Sequence, residues 1–177
     1  RWKPMRAAQG EARERWYARQ GGAEGAAFAA CTLIALQDAP LDVANFYSAD
    51  NQPFGMFTLH GAPKKTYHAF QAFRTLVDLG IRAETKGAAS GRAAVLAGLR
   101  PGGSEAAVLI GNLSLPEANH RLSVRGLPWQ RADLDMRFLD HEHNLPVVRT
   151  VSMTGDADVI PLELKAPAVV LIQIRKR

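Results

Sequence analysis

The chain has 177 residues, room for one large domain or two small ones, and its 47% hydrophobic and 22% charged residues give a globular balance. The formal net charge is +5, from 22 Lys and Arg against 17 Asp and Glu, and the excess gathers at the two ends. A basic tail such as Arg175, Lys176 and Arg177, with no interleaved aromatics, is not a nucleic-acid signature, and no apolar run is long enough to cross a bilayer.

The opening, RWKPMRAAQGEARERWYARQ, is charged and has no apolar centre, so it does not read as a signal peptide. It also lacks an initiator Met, which points to a processed or truncated piece. Residues 23 to 38 hold Phe28, Cys31, Leu33, Ile34 and Leu36 among many alanines. Alanine favours helix and lets neighbours approach closely, and the apolar residues fall on most faces, so this helix is expected to be largely covered. Cys31, the single cysteine, excludes an internal disulfide and reads as a small buried hydrophobe. Asp38 and Pro40 end the helix. LDVANFYSA then has the length and the β-branched and aromatic content of a buried strand over 41 to 48. A polar loop follows, and a second helix starts at Pro63. In it Tyr67, Phe70, Phe73 and Val77 form a stripe that must pack on something, and Gly80 is placed as its C-terminal cap.

The pattern changes near residue 81. Short alternating runs predict strands over 81 to 86, 92 to 99, 105 to 112, 119 to 126, 132 to 140, 147 to 152, 157 to 163 and 167 to 175. RLSVRGL, DLDMRFLD and VVLIQIRK alternate with period two, so one face should be wet and the other buried. Turn signals such as RPGGSE, SLPEAN and TGDAD separate the runs at the spacing of an antiparallel sandwich. Two domains are therefore expected, an α/β portion over 1–80 and an all-β antiparallel sandwich over 81–177. One strand between two helices cannot make a sheet by itself, so either it adds to the sandwich or it is the final portion of a larger barrel whose earlier units are absent. A complete (β/α)8 barrel takes about 250 residues, so some 80 residues could supply only its last units.

Isolated motifs carry little chemistry. DHEHN places His141 and His143 two apart beside Asp140 and Glu142, a spacing open to a metal, but at a strand-to-turn junction polar residues collect anyway, and no metal or cofactor is expected. LRPGGSE lacks the Lys and the strand-to-helix context of a phosphate loop. Trp129, beside a turn, is read as a sandwich-edge or domain-contact residue before a sugar-stacking one. Glu11, Glu14 and Glu24 lie in charged helical surroundings and read as solvated faces.

The run GAEGAAFAACTLIALQDAPLDVANFYSADNQPFGMFTLHGAPKKTYHAFQAFRTL resembles the end of the catalytic barrel in glycoside hydrolases of the large (β/α)8 clan, most closely family 39, the β-xylosidase and α-iduronidase type. LQDAPLD leading into VANFYSAD is similar to that barrel's seventh helix and eighth strand, and FGMF followed by GAPKKTYHAFQAF to its closing hairpin, Pro-Lys turn and Tyr-x-Ala-Phe helix. The resemblance implies a glycosidase using two carboxylates on either side of the scissile bond, both upstream of Arg1, so that this chain contributes no catalytic residue. It implies a carbohydrate partner, a missing N-terminal barrel portion and a secreted or periplasmic parent, with neither nucleic acid nor membrane as partner. Barrel ligands bind at the C-terminal strand ends, so Phe46, Tyr47, Asp50 and Asn51, with His60 after the hairpin, are the candidate substrate-binding residues. Aromatic faces stack on sugar rings and Asp and Asn bond hydroxyls. The alternative is that Asp50 and Asn51 simply turn the chain. A second function class is a carbohydrate-binding or purely structural β-sandwich module.

Overall fold

The computed structural model describes residues 7–89, 91–116, 118–154 and 159–177. Residues 155–158, which hold most of the TGDAD turn and the start of the seventh expected strand, lie outside the described residues, as do 1–6 of the basic opening. Three helices are named among the described residues: α1 (Glu11–Gly21), α2 (Ala23–Leu36) and α3 (Lys65–Leu79). Eight strands follow: β1 (Ile81–Ala83), β2 (Ala93–Leu99), β3 (Glu105–Asn112), β4 (Ala118–Ser123), β5 (Arg131–Leu139), β6 (Asn144–Thr154), β7 (Val159–Leu164) and β8 (Ala168–Lys176). Each lies on one of the eight runs picked out by alternation. All paired strands run antiparallel. Six form one sheet in the order β1-β2-β3-β8-β5-β6, and β4 and β7 form a second.

The two faces of the large sheet carry different cores. On one, Val108, Ile110, Leu134, Met136, Val170, Ile172 and Ile174 meet Ile160, Leu162 and Leu164 of the small sheet. On the other, Leu96, Ala107, Leu109, Leu139, Val169 and Leu171 meet Ala26, Ala27, Ala30 and Ile34 of α2 and Ala69, Ala72, Leu76 and Leu79 of α3. Strand β8 lies under both layers, and its first five residues are all buried. The alternation expected for VVLIQIRK is therefore absent from those residues, because the helices cover the face that would otherwise meet water. DLDMRFLD keeps its period of two through Asp135, and Leu134, Met136 and Leu139 point into the interior.

Alanine makes the helical layer thin. Ala26, Ala27, Ala30, Ala69 and Ala72 are completely buried, and methyl-sized side chains let α2 approach both α3 and the sheet. At Gly111 of β3 the approach is closest, since a Cβ there would lie 2.6 Å from Cys31 Sγ and 3.1 Å from the Cys31 backbone nitrogen. Burial pushes the Cys31 thiol up to about 11, against a backbone hydrogen bond with Ala94 that lowers it. At pH 8 the native thiol should therefore react with iodoacetamide about 100-fold more slowly than the urea-unfolded one. Equal rates would mean that the helix lifts from β3.

One expectation for the helical half holds and one needs correction. The buried residues of α3 are Ala69, Ala72, Leu76 and Leu79, which join the core against the sheet, and Thr66, whose hydroxyl donates to Gln20 O of α1 at 3.1 Å. Tyr67, Phe70 and Phe73 are half-buried and Val77 is 52% exposed. The stripe packs as expected: Tyr67 meets Phe57, with ring centroids 5.3 Å apart, Phe70 meets Phe46 at 5.0 Å, and Phe70 and Phe73 rest against the core. Small residues win the inner face because a bulkier set would hold the helix away from the sheet. Gly80 caps α3 with φ 85°, as expected.

The strand expected over 41–48 does not form. Leu41–Tyr47 is irregular and exposed, with Val43 at 72% and Tyr47 at 75%. A buried strand needs a ladder on at least one edge, and no described strand pairs with this segment. Its start is held where Asp38, just past α2, accepts two hydrogen bonds from Arg82 of β1 at 2.6 and 2.9 Å. Its end is held by the Phe46–Phe70 ring contact.

Candidate functional site

Beyond Tyr47 the chain folds into a closed loop over residues 48–57. The Met56 amide donates to Ser48 O at 3.1 Å, the Phe57 amide to Asp50 O at 3.0 Å, and the Gly55 amide to Gln52 O at 2.7 Å. Asp50 Oδ1 accepts the Gln52 amide at 3.0 Å, the local turn bond that Asp makes readily. Gly55 is required by space, since a Cβ there would meet Asp50 O at 2.1 Å and Asp50 Oδ1 at 2.3 Å. A short second turn follows, in which the Thr58 amide donates to Ala62 O at 2.8 Å and the Gly61 amide to Thr58 O at 2.9 Å.

These turns place the five candidate residues. Phe46 rests edge-on against Phe70 and is 41% exposed, while the Tyr47 side chain is largely exposed. The bond between Tyr47 and Ser48 is cis. Asn51 is exposed at the loop surface and Asp50 is half-buried beneath it. Phe46, Tyr47, Asp50 and Asn51 thus belong to one continuous rim. His60 sits at the tip of the second turn, and among the described residues no hydrogen bond or ring contact joins it to the other four.

The loop rests on groups outside it. Phe54 meets the ring of Tyr17 from α1, centroids 6.2 Å apart. Lys64, from the turn before α3, donates through Nζ to Gln52 O at 3.1 Å and Pro53 O at 3.3 Å, while its backbone amide donates to Met56 O at 2.8 Å. Tyr17, Ala18, Gly21, Gly22, Pro53 and Lys64 enclose an open cleft of about 330 Å³ behind the loop. Tyr17 and Lys64 escaped the sequence reading. The Pro-Lys turn was visible, but not that Lys64 reaches back twelve residues.

DHEHN is a capped turn. Asp140 Oδ1 accepts the amides of Glu142 and His143, both at 2.8 Å, and the His143 ring contacts the same carboxylate at 3.0 Å. Burial would raise the Asp140 pKa, but the His143 ring and these two amides outweigh it and hold the carboxyl below its usual value. Lys65 Nζ donates to His143 O at 2.9 Å and to Asn144 Oδ1 at 2.7 Å, tying α3 to the β5–β6 turn. Trp129 is 8% exposed and its indole nitrogen donates to Gly103 O, so it braces the β2–β3 turn and offers no stacking face.

The fold is that of the C-terminal regions of glycoside hydrolases. Among solved structures, a glucosidase from Croceicoccus marinus matches at a TM-score of 0.76 and 20% identity, over 88% of this chain and 42% of that one. A GH39 enzyme from Xanthomonas axonopodis pv. citri matches at 0.62 and 13%, over 89% and 42%. A monomeric β-xylosidase from Caulobacter crescentus CB15 matches at 0.61 and 16%, again over 89% and 42%. The chain thus spans about 42% of the length of each. No family model and no curated protein matches the sequence.

Proposed function

We propose that this chain is the C-terminal part of a glycosidase that hydrolyses O-glycosidic bonds in xyloside-like or related oligosaccharides. In this reading residues 1–80 end a (β/α)8 catalytic barrel, and residues 81–177 are a β-sandwich accessory domain. The two carboxylates lie outside the 177 residues, and Phe46, Tyr47, Asp50, Asn51 and His60 belong to the substrate wall. The observation that carries the reading is the match over 88% of the chain to a structure named as a glucosidase. The unpaired, apolar and exposed run from Leu41 to Tyr47 supports it, because such a run is what a barrel strand presents when its neighbours are supplied from elsewhere.

The sandwich reads as structural. Only Trp129 and Phe138 are aromatic after residue 81; Trp129 is buried, and Phe138 packs against the core between the sheets. A sugar-binding sheet face needs exposed aromatic rings, and this half has none to offer.

Two measurements test the proposal. The 177-residue chain should show no turnover of an aryl β-xyloside or aryl β-glucoside, and turnover would place the carboxylates within it. Xylose added to the 15N-labelled chain should shift the amides of Tyr47, Asp50 and Asn51. Shifts confined to the strands would move the site onto the sandwich.

A further inference from the structure

Lys64 holds the rim loop at two places, its middle and its close. Its side chain binds the carbonyls of Gln52 and Pro53 at the middle of the loop, and its main chain binds Met56 near the close. Its aliphatic stem crosses the α1–α2 junction, where a Cβ on Gly21 would lie 2.9 Å from Lys64 Cδ. Glycine at 21 therefore gives the stem its passage. The ammonium is partly desolvated, which lowers its pKa, and the negative charge of Asp50 in the same loop opposes that. Lys65, the next residue, sends its ammonium to the opposite neighbour, the β5–β6 turn. Of these two adjacent lysines, one addresses the rim and the other the sheet.

We propose that Lys64 is a positioning residue for the sugar-binding rim: it touches no substrate, and it fixes where Tyr47, Asp50 and Asn51 stand by clamping loop 48–57 against the α1–α2 junction. The proposal rests on the reading of that loop as substrate wall. Two carbonyls hold the ammonium, charge-assisted bonds of this kind are the stronger ones, and the negative charge of Asp50 favours its charged form. A neutral side chain of the same length keeps the packing on Gly21 and loses the clamp.

The test uses the full 177-residue chain with Lys64→Met, Lys65→Met and Lys64→Cys, read by amide hydrogen exchange and by xylose titration. In Lys64→Met the amides of Gln52, Gly55, Met56 and Phe57 should exchange about 10-fold faster, while those of α3 and the sheet keep the wild-type rate. Xylose-induced shifts at Tyr47, Asp50 and Asn51 should shrink in parallel. Lys65→Met should leave loop exchange unchanged. Aminoethylation of Lys64→Cys rebuilds a lysine-like ammonium and should restore both readouts, the buried Cys31 being shielded from the reagent. Loop exchange in Lys64→Met at the wild-type rate overturns the clamp, as does loosening spread evenly over α3 and the sheet. A wild-type chain whose rim amides ignore xylose overturns instead the rim reading and the substrate role built on it, and the exchange data separate the two failures.

Discussion

Replacing Gly111 by valine is expected to destabilise the chain by about 3 kcal/mol, a fall in Tm of roughly 6–12 °C for a domain of this size. The cause is contact with backbone. A Cβ at 111 would meet the Cys31 nitrogen at 3.1 Å and the Cys31 Cα at 3.4 Å as well as the sulfur. A sulfur can rotate away, but the helix axis cannot yield without opening gaps at Ala26, Ala27 and Ala30, which now have no exposed surface. Gly98→Ala is the control: a Cβ there meets Leu79 Cδ1 at 3.3 Å and Leu76 Cδ1 at 3.4 Å, ends of flexible side chains that can shift, though Ile81 O at 3.4 Å adds a mild backbone contact. Its cost should be well below that of Gly111→Val in urea unfolding. Similar costs would show that α2 is not pressed onto β3.

Asn112→Asp should cost a further large amount, about 3–5 kcal/mol at pH 7. Asn112 is completely buried. Its Oδ1 accepts the Leu115 amide at 2.9 Å, and its Nδ2 has no partner among the described residues. A carboxylate there would be an ion with one amide for company. Burial raises the native pKa of such a group above its unfolded value near 4. The native state then binds the extra proton, so stability is retained below the unfolded pKa and lost as pH rises through the native one. The deficit against wild type should be small near pH 4 and largest at neutral pH. The same deficit at both would mean that the carboxylate reaches water.

The all-β half was legible because its signals are local. Alternation over DLDMRFLD and the turn residues in RPGGSE are decided within a few positions, and β2, β3 and β5 lie where those signals put them. What failed depended on partners distant in sequence. VVLIQIRK lost its wet face to two helices far earlier in the chain, Ala23–Leu36 and Lys65–Leu79, and LDVANFYSA has strand composition with nothing described to pair with. In α3 the aromatic stripe was legible as one that must pack, but not that close packing against the sheet selects Ala69 and Ala72 for the inner face. At the site, Tyr47, Asp50 and Asn51 could be picked by chemical type and by resemblance to a barrel end. The turn bond from Asp50 to the Gln52 amide was one of the two alternatives already open. The clamp by Lys64 was not legible, because only the folded loop brings carbonyls 52 and 53 to that ammonium.

The layer of alanines sets a spacing. The rim residues are carried by α3 and the turns before it, and the height of α3 above the sheet is the thickness of a few methyl groups at Ala69, Ala72, Ala26 and Ala30. Those methyls act as shims between a stiff foundation and the loop above it. Mutational drift at any of them would be converted into a displacement of Tyr47 and Asp50.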